Sequence, residues 1–290
     1  MRVRIWGALV VVGVAGLAQE ESDLRTRQLW NTKFSQKRPA VKAPPPKPPE
    51  APGPAETPKA PAADDLADAF VGITVWRLRP STPADDKEIR VRGCAGEKGE
   101  LTPERVEADT VLGEGEKVRV GIETARAGFL YVIDREQYAD GTYGAASLIF
   151  PTLRTRGGEN RVSPGRLVEI PAWEDNPPCF TLRMSRADQA SEMLTVLVTP
   201  QRLAGVKIGR EPLRLTPDQV AAWEKRWGTK VKRLGARDQA GKPYTRAEKE
   251  AATEQTRALT HEEPLPQTLY HVEAKAGEPL LVSVPLRIAR

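Results

Sequence analysis

The side chains best placed to do chemistry gather in one stretch. Asp134, Glu136 and Asp140 set three carboxylates within seven residues, directly after an apolar run and just before Gly141. Carboxylates at that density can ligate calcium or work as a general acid and base. Their spacing does not follow the regular twelve-residue calcium loop, and Asp140-Gly141 is a turn signal, so the competing expectation is a solvated hairpin with acids on its rim. The aromatics Phe129, Tyr131, Tyr138, Tyr143 and Phe150 lie in the same region and are expected to pack the core and hairpin rather than form a ligand platform.

Other chemistries lack their parts. There is no Gly-x-Ser-x-Gly elbow, and His261 and His271 stand apart from any Ser or Cys motif. His261-Glu-Glu-Pro264 has no second His four positions on, and Pro264 would break the helix such a zinc motif needs. Gly113-Glu-Gly115-Glu carries acids where a phosphate would sit. The expectation is a chain with no catalytic residue and no cofactor.

The elements that must position these residues read as mainly β. Val71–Leu78 is β-rich and ends before Pro80. Lys117–Ile122 alternates, placing Val118, Val120 and Ile122 on one face as a half-buried strand requires. Gly128–Asp134 is apolar on both faces and suits a central strand. Ser147–Phe150, Leu167–Ile170, Cys179–Met184 and Leu194–Val198 complete seven short strands, three of them stopped by Pro151, Pro171 and Pro200. Seven strands with no long helix between them predict an antiparallel β-sandwich, immunoglobulin-like or similar, over residues 64–205.

Residues 206–290 predict a helical extension and a C-terminal strand packed on the sandwich. Thr216-Pro-Asp-Gln219 is a capping box with proline at the first helical position, and Val220, Trp223, Trp227 and Val231 fall on one face, although Gly228 can end the helix early. Lys230-Val-Lys-Arg233 is expected on a solvated helix face. Thr245-Arg-Ala-Glu248 opens a second, mostly polar helix running to about Thr260. Leu280 to Ile288 alternates, and Pro285 places that strand at an edge.

The N-terminus reads as an export signal. Arg2 and Arg4 precede an apolar run from Ile5 to Val14 and the small residues before Ala18, so 1–18 is expected to be cleaved between Ala18 and Gln19. A spanning helix needs about 20 apolar residues, more than this run supplies, so no stable membrane span is expected after cleavage. Removing Arg2 and Arg4 from the 44 Lys and Arg leaves 42 against 39 acids, too even a balance for a nucleic-acid binder. The expected location is periplasmic or extracellular, where Cys94 and Cys179 can persist as a disulfide; closing a loop of that size contributes on the order of 4 kcal/mol in the chain-entropy model. Two separate buried thiols are the alternative. The two cysteines and two histidines lack the close spacing of a metal site.

A short segment, 19–38, precedes a proline-rich linker at 39–63, where ten of twenty-five residues are proline. Proline fixes φ and removes donors, so extended polyproline II remains and the run is expected to be a spacer of roughly 75 Å. Leu29, Trp30 and Phe34 make the preceding segment either a small docking helix or disordered.

Five pieces then resemble a known set. Gly115-Glu-Lys-Val-Arg-Val, Gly128-Phe-Leu-Tyr-Val-Ile-Asp134, Leu148-Ile-Phe-Pro151, the turns at Asn160-Arg161 and Pro164-Gly165, and Val168-Glu-Ile-Pro171 resemble, in that order, a widespread bacterial family known only as a domain of unknown function. The family-like core covers residues 110–203. Thr152 stands where the family usually has Asn. The resemblance implies an exported or accessory β-sandwich module and no reaction.

These readings converge on an exported, non-catalytic binding module on a proline-rich stalk, with an envelope protein or a cell-wall polymer as partner and no nucleic acid. The alternatives are a structural spacer of the periplasm and a carboxylate-dependent hydrolase. Intact-mass measurement of the secreted chain checks the export reading: the mature protein should begin at Gln19, and a product still starting at Met1 would refute it.

Overall fold

The computed structural model describes residues 34–40, 69–94, 99–235, 239–253 and 257–289. The expected signal 1–18 with Ala18 and Gln19, residues 19–33, and the proline run beyond Ala40 lie outside the described residues. So do Leu29 and Trp30.

Two antiparallel sheets pack face to face. The first is centred on β1 (Phe70–Pro80), which pairs along one side with β4 (Lys117–Thr124) and along the other with β3 (Glu100–Val106) and β13 (Thr268–Val272). Around these sit β2 (Val91–Arg92), β8 (Val168–Ile170), β9 (Phe180–Thr181) and β12 (Val231–Gly235). The second sheet runs β11 (Leu213–Arg214), β6 (Ser147–Phe150), β5 (Gly128–Tyr138), β10 (Gln189–Thr199) and β14 (Leu280–Arg287), with β7 (Arg161–Val162) beside β5. The main core lies between the sheets, with Val71, Ile73 and Val75 of β1 facing Leu130 and Val132 of β5 and Val196 and Val198 of β10. Each such aliphatic side chain contributes about 1.5–3 kcal/mol by leaving water.

Both outer faces are also covered, and this changes how the strands read. Helix α1 (Pro217–Trp227) lies over the second sheet, where Val220, with Trp223 and Trp227, packs on Tyr131, Ile133 and Leu197. Its start is the expected capping box, with both reciprocal bonds present, and Gly228 ends it. Over the first sheet lie residues 239–253, including α2 (Arg246–Thr253), residues 257–267 and the segment 34–40. β4 is therefore not half-buried as its alternation suggested. Arg119, Gly121 and Glu123, on the face opposite Val118, Val120 and Ile122, are buried as well, because this second cover seals them.

Other expectations change for local reasons. Lys230–Arg233 does not form a solvated helix face: from Val231 the chain is β12, an edge strand pairing with β13, and Lys232 and Arg233, on its opposite faces, are both exposed. Basic residues on an edge strand also discourage further pairing. Val231 thus belongs to the sheet and not to the apolar face of α1. The expected strand at Cys179–Met184 contracts to Phe180–Thr181 before the chain turns toward Gln189, whose amide bonds the Arg186 carbonyl. α2 ends at Thr253 rather than near Thr260, and residues 257–260 are not helical. β3 carries Pro103 within it, which is tolerated because β2 pairs only with Glu100 and Leu101. β14 sits at the edge of its sheet, where Pro285 costs no ladder bond. Beyond its two helices, the stretch 206–290 supplies four strands, two to each sheet. Among the described residues no helix is long and apolar enough to cross a membrane.

Cys94 and Cys179 are joined as a disulfide, with Cα atoms 6.1 Å apart. The bridge lies beside Trp76, Leu78 and Leu101 in an apolar cluster at one end of the first sheet.

The segment before the proline run is docked. Phe34 is buried against Phe70, Ala125 and Leu269. Arg38 donates to Glu123 Oε1 at 3.0 and 3.2 Å and to the carbonyls of Thr260, Glu263 and Pro264. Both partners of this ion pair are almost fully buried, at 1% and 2% side-chain exposure, so neither charge can fall back on water. Replacing Arg38 with Met should therefore cost about 3–5 kcal/mol in chemical denaturation, and adding Glu123→Gln should recover most of that. A single-variant loss below about 1 kcal/mol would mean that the docking contributes nothing to stability.

Candidate functional site

At one end of the sandwich the inward-facing residues turn from aliphatic to acidic. On β5 the inner face runs Leu130, Val132, then Asp134 and Glu136; on β10 it runs Val196, Leu194, then Glu192. The register sets Glu136 opposite Glu192 and Asp134 opposite Leu194, so Asp134 and Glu192 are diagonal neighbours on one face. β6 joins β5 through a bulge at Ile149 between the Phe150 and Leu148 pairings, and Ile149 packs into the main core. The result is a cavity of about 100 Å³ lined by Asp134 and Glu192 with Ile149, Phe180, Leu182, Leu194 and Leu286. That is room for a few waters or the end of one side chain.

The carboxyls are unequally satisfied. Tyr138 donates its hydroxyl to Glu136 Oε2 at 2.6 Å, and Gln189 donates to Glu192 Oε1 at 2.8 Å. Asp134 Oδ1 and Glu192 Oε2 are buried and receive no donor. A proton shared between the two carboxyls accounts for both orphaned oxygens, since two close carboxylates cannot both ionise cheaply. Burial is the main cause that pushes Asp134 up to about 6; Glu192 lowers it and Glu136 raises it. Burial likewise leads in pushing Glu192 up to about 8, with the charge on Asp134 next. Near neutral pH the pair thus keeps one proton and one negative charge, in a site walled by apolar side chains.

The third sequence candidate is elsewhere. Asp140 is at the hairpin tip, where its Oδ1 accepts from the Thr142 amide at 2.9 Å and the Thr142 hydroxyl at 2.6 Å, while Gly141 takes φ +83°. It serves the turn, as its Asp-Gly signal indicates. Asp134, Glu136 and Asp140 do not converge, and among the described residues no group of three His, Cys, Asp or Glu side chains could hold a metal ion. The aromatics are likewise dispersed. Phe150 is in the core, Tyr131 faces α1 and accepts the Leu203 amide at 2.9 Å, Phe129 lies beneath Arg202, and Tyr143 lies exposed beneath Arg135. His261 Nε2 lies 2.8 Å from the Arg38 carbonyl oxygen, and His271 packs on Phe70. Neither histidine stands beside the acid pair.

A second set of buried carboxyls has partners. Glu169 on β8 accepts from Trp173 Nε1 at 2.6 Å and the Tyr244 hydroxyl at 3.0 Å, with Arg119 at 3.5 Å. Burial pushes it up to about 7 against the pull of Arg119. Glu248 pairs with Arg105 while its other oxygen caps α2 through the Thr245 amide and hydroxyl. These groups are sealed beneath residues 239–253 and 257–267 and, among the described residues, meet no cavity large enough for a substrate, so their place is in the fold.

Sequence reasoning does not single out Glu192. Its signal is parity: it shares the face of Leu194, Val196 and Val198, so the same alternation that identifies the strand turns this acid inward. Comparisons of the chain with protein-family models, with curated proteins and with solved structures found no match.

The raised values fix a sign for pH dependence. The folded pair holds protons that the unfolded chain releases near the ordinary carboxyl range, so its contribution to stability falls as pH rises from about 4 through about 8. The double replacement Asp134→Asn, Glu192→Gln should flatten that slope in denaturation midpoints measured across the window. An unchanged slope would show that the pair does not titrate as a unit.

Proposed function

We propose that this chain is an exported, non-catalytic binding module of the bacterial envelope whose carboxyl-lined cavity receives a protonated amine from an envelope protein or a cell-wall polymer. The observation that carries this reading is the pair of orphaned buried oxygens on Asp134 and Glu192, facing each other in an apolar-walled cavity of about 100 Å³. An ammonium group supplies the donors and the charge that the pair lacks, and its alkyl stem suits the walls formed by Ile149, Phe180 and Leu286. The motif order it shares with accessory β-sandwich modules supports the same reading. Display by the proline run alone is less well supported, because Phe34 and Arg38, upstream of that run, sit on the domain itself.

The shared proton also favours a second reading, a carboxylate-dependent hydrolase in which the pair divides acid and base roles. The two readings differ in what they require: turnover in one case, saturable amine binding without turnover in the other.

Isothermal titration with an Nα-blocked lysine amide separates them from no function at all. A bound ammonium displaces the shared proton, so affinity should rise by up to about tenfold per pH unit between pH 5 and 8, with proton release in calorimetry. Nε-acetylation of the probe, or Asp134→Asn with Glu192→Gln, should abolish binding. Equal binding of the acetylated probe would sink the proposal, and hydrolysis of wall or peptide substrates lost in the double variant would favour the second reading.

A further inference from the structure

We infer that residues 152–161 and 200–211 form a membrane-docking tip that sets Leu153 into the interface of an anionic phospholipid bilayer while flanking cations meet the phosphates. Both loops leave the same end of the second sheet. β6 pairs Phe150 with Val132 and continues toward the start of β5, and β10 ends with Thr199 opposite Phe129. The loops join where the Leu153 amide donates to the Gly209 carbonyl at 2.7 Å. Leu153 and Ile208 also close over Gly158, where an added methyl would meet their side chains at 3.2 and 3.1 Å. Arg156, Gly157 and Gly158 take φ of 54, 62 and 84°, and Arg156 is the one non-glycine residue at positive φ among the described residues. The surrounding structure must impose that strained turn.

Positive charge flanks the tip. Arg154, Arg161, Arg202, Lys207 and Arg210 are exposed on these loops, against two acids, Glu159 and Glu211. Glu211 pairs with Arg154, and Glu159 accepts the Arg161 amide at 2.7 Å. Arg202 is held over the Phe129 ring with Nη1 on Asn160 Oδ1 at 3.2 Å. Arg156 is half-buried, and its Nη1 and Nη2 meet no acceptor among the described residues. Such a surplus draws an anionic partner.

The apolar centre selects a bilayer over a soluble polyanion. Among the described residues three large apolar side chains are exposed: Val111 at 55%, Leu153 at 50% and Tyr143 at 44%. Tyr143 is covered by Arg135. Val111 follows Asp109 and precedes Glu114 at the opposite end of the second sheet, where Leu112 bonds Arg287 and Ala289. Leu153 alone stands among unpaired cations. A polyanion in water has nothing to cover it with, whereas a bilayer lays apolar depth directly beneath a layer of phosphates, the order that a leucine between basic loops fits. The acid pair takes no part in this surface.

Co-sedimentation of the secreted chain with phosphatidylcholine vesicles, with and without phosphatidylglycerol, tests the inference. Partitioning should require phosphatidylglycerol and fall in molar salt. Replacing Lys207 and Arg210 together with Ala should lower it about twenty-fivefold, at roughly fivefold per cation removed. Both side chains are exposed, so the fold should keep its denaturation midpoint. A bimane attached through Leu153→Cys should shift to the blue on anionic vesicles, and one attached through Val111→Cys should not; the disulfide of Cys94 and Cys179 does not react. Equal partitioning to neutral vesicles, no loss in the double variant, or a bimane at residue 153 that stays in water would each overturn the inference. Binding of soluble polyphosphate with that bimane unshifted on vesicles would assign the cations to a soluble polyanion instead and overturn it too.

Discussion

The constraint on which most of this structure depends is that a charge taken out of water must meet an opposite charge or a donor. The outer face of the first sheet carries Arg105, Arg119, Glu123 and Glu169 at buried positions. No soluble single-layer cover of aliphatic side chains could sit on that face. Each charge is answered by a residue from a distant part of the chain: Arg38 answers Glu123, Glu248 answers Arg105, and Glu169 takes Arg119 along with Trp173 and Tyr244. Arg105 and Arg119 also lie over the rings of Trp76 and Trp173 at 4.5 and 4.1 Å, so the polar layer is held by aromatic faces as well as by carboxylates. Breaking any one pair leaves its partner buried and alone, which costs more than the pair itself contributes. The polar layer therefore specifies which segments may cover the sheet.

The same rule makes the acid pair at the end of the sandwich unusual. Glu123, Glu169 and Glu248 are at least as buried as Asp134 and Glu192, yet each of the first three is matched by an arginine. Asp134 and Glu192 instead are diagonal neighbours with no arginine partner among the described residues, and burial raises both carboxyls toward their protonated forms. Burial alone would be a folding liability. Burial beside an open cavity gives a site whose charge responds to pH and to whatever enters.

How much of this was legible in the sequence follows from the range of each signal. β1, β5, β10 and β14 announce themselves through local apolar patterns, and α1 through Thr216, Pro217 and Gln219, because those signals depend on neighbours within four residues. Alternation also identified β4, but it could not say that Arg119 and Glu123 are covered, since Arg119 is covered from Glu169, Trp173 and Pro178, and Glu123 from Arg38 and the stretch around Pro264. β12 was hidden by its own edge chemistry, in which Lys232 and Arg233 resemble a solvated helix face. β3 was hidden by Pro103, which is harmless because β2, its neighbour on the side away from β1, ends before reaching it. At the candidate site, Asp134 and Glu136 stand out by clustering, whereas Glu192 is adjacent only through strand pairing. Phe34 and Arg38 are separated from their groove by the proline run, and no periodicity crosses such a run.

The bridge between Cys94 and Cys179 has a mechanical side. It encloses β3 to β8, so a pull applied to the two ends of the chain passes through the sulfur atoms and leaves the 84 residues between them unloaded. At the usual rise of an extended chain, that segment represents roughly 300 Å of contour length that stretching cannot release. A cut in any loop between the two cysteines would also leave both pieces covalently attached. A chain so connected can yield to tension only in β1, β2 and the strands from β9 onward, while the portion carrying β5 and Asp134 stays within the closed ring.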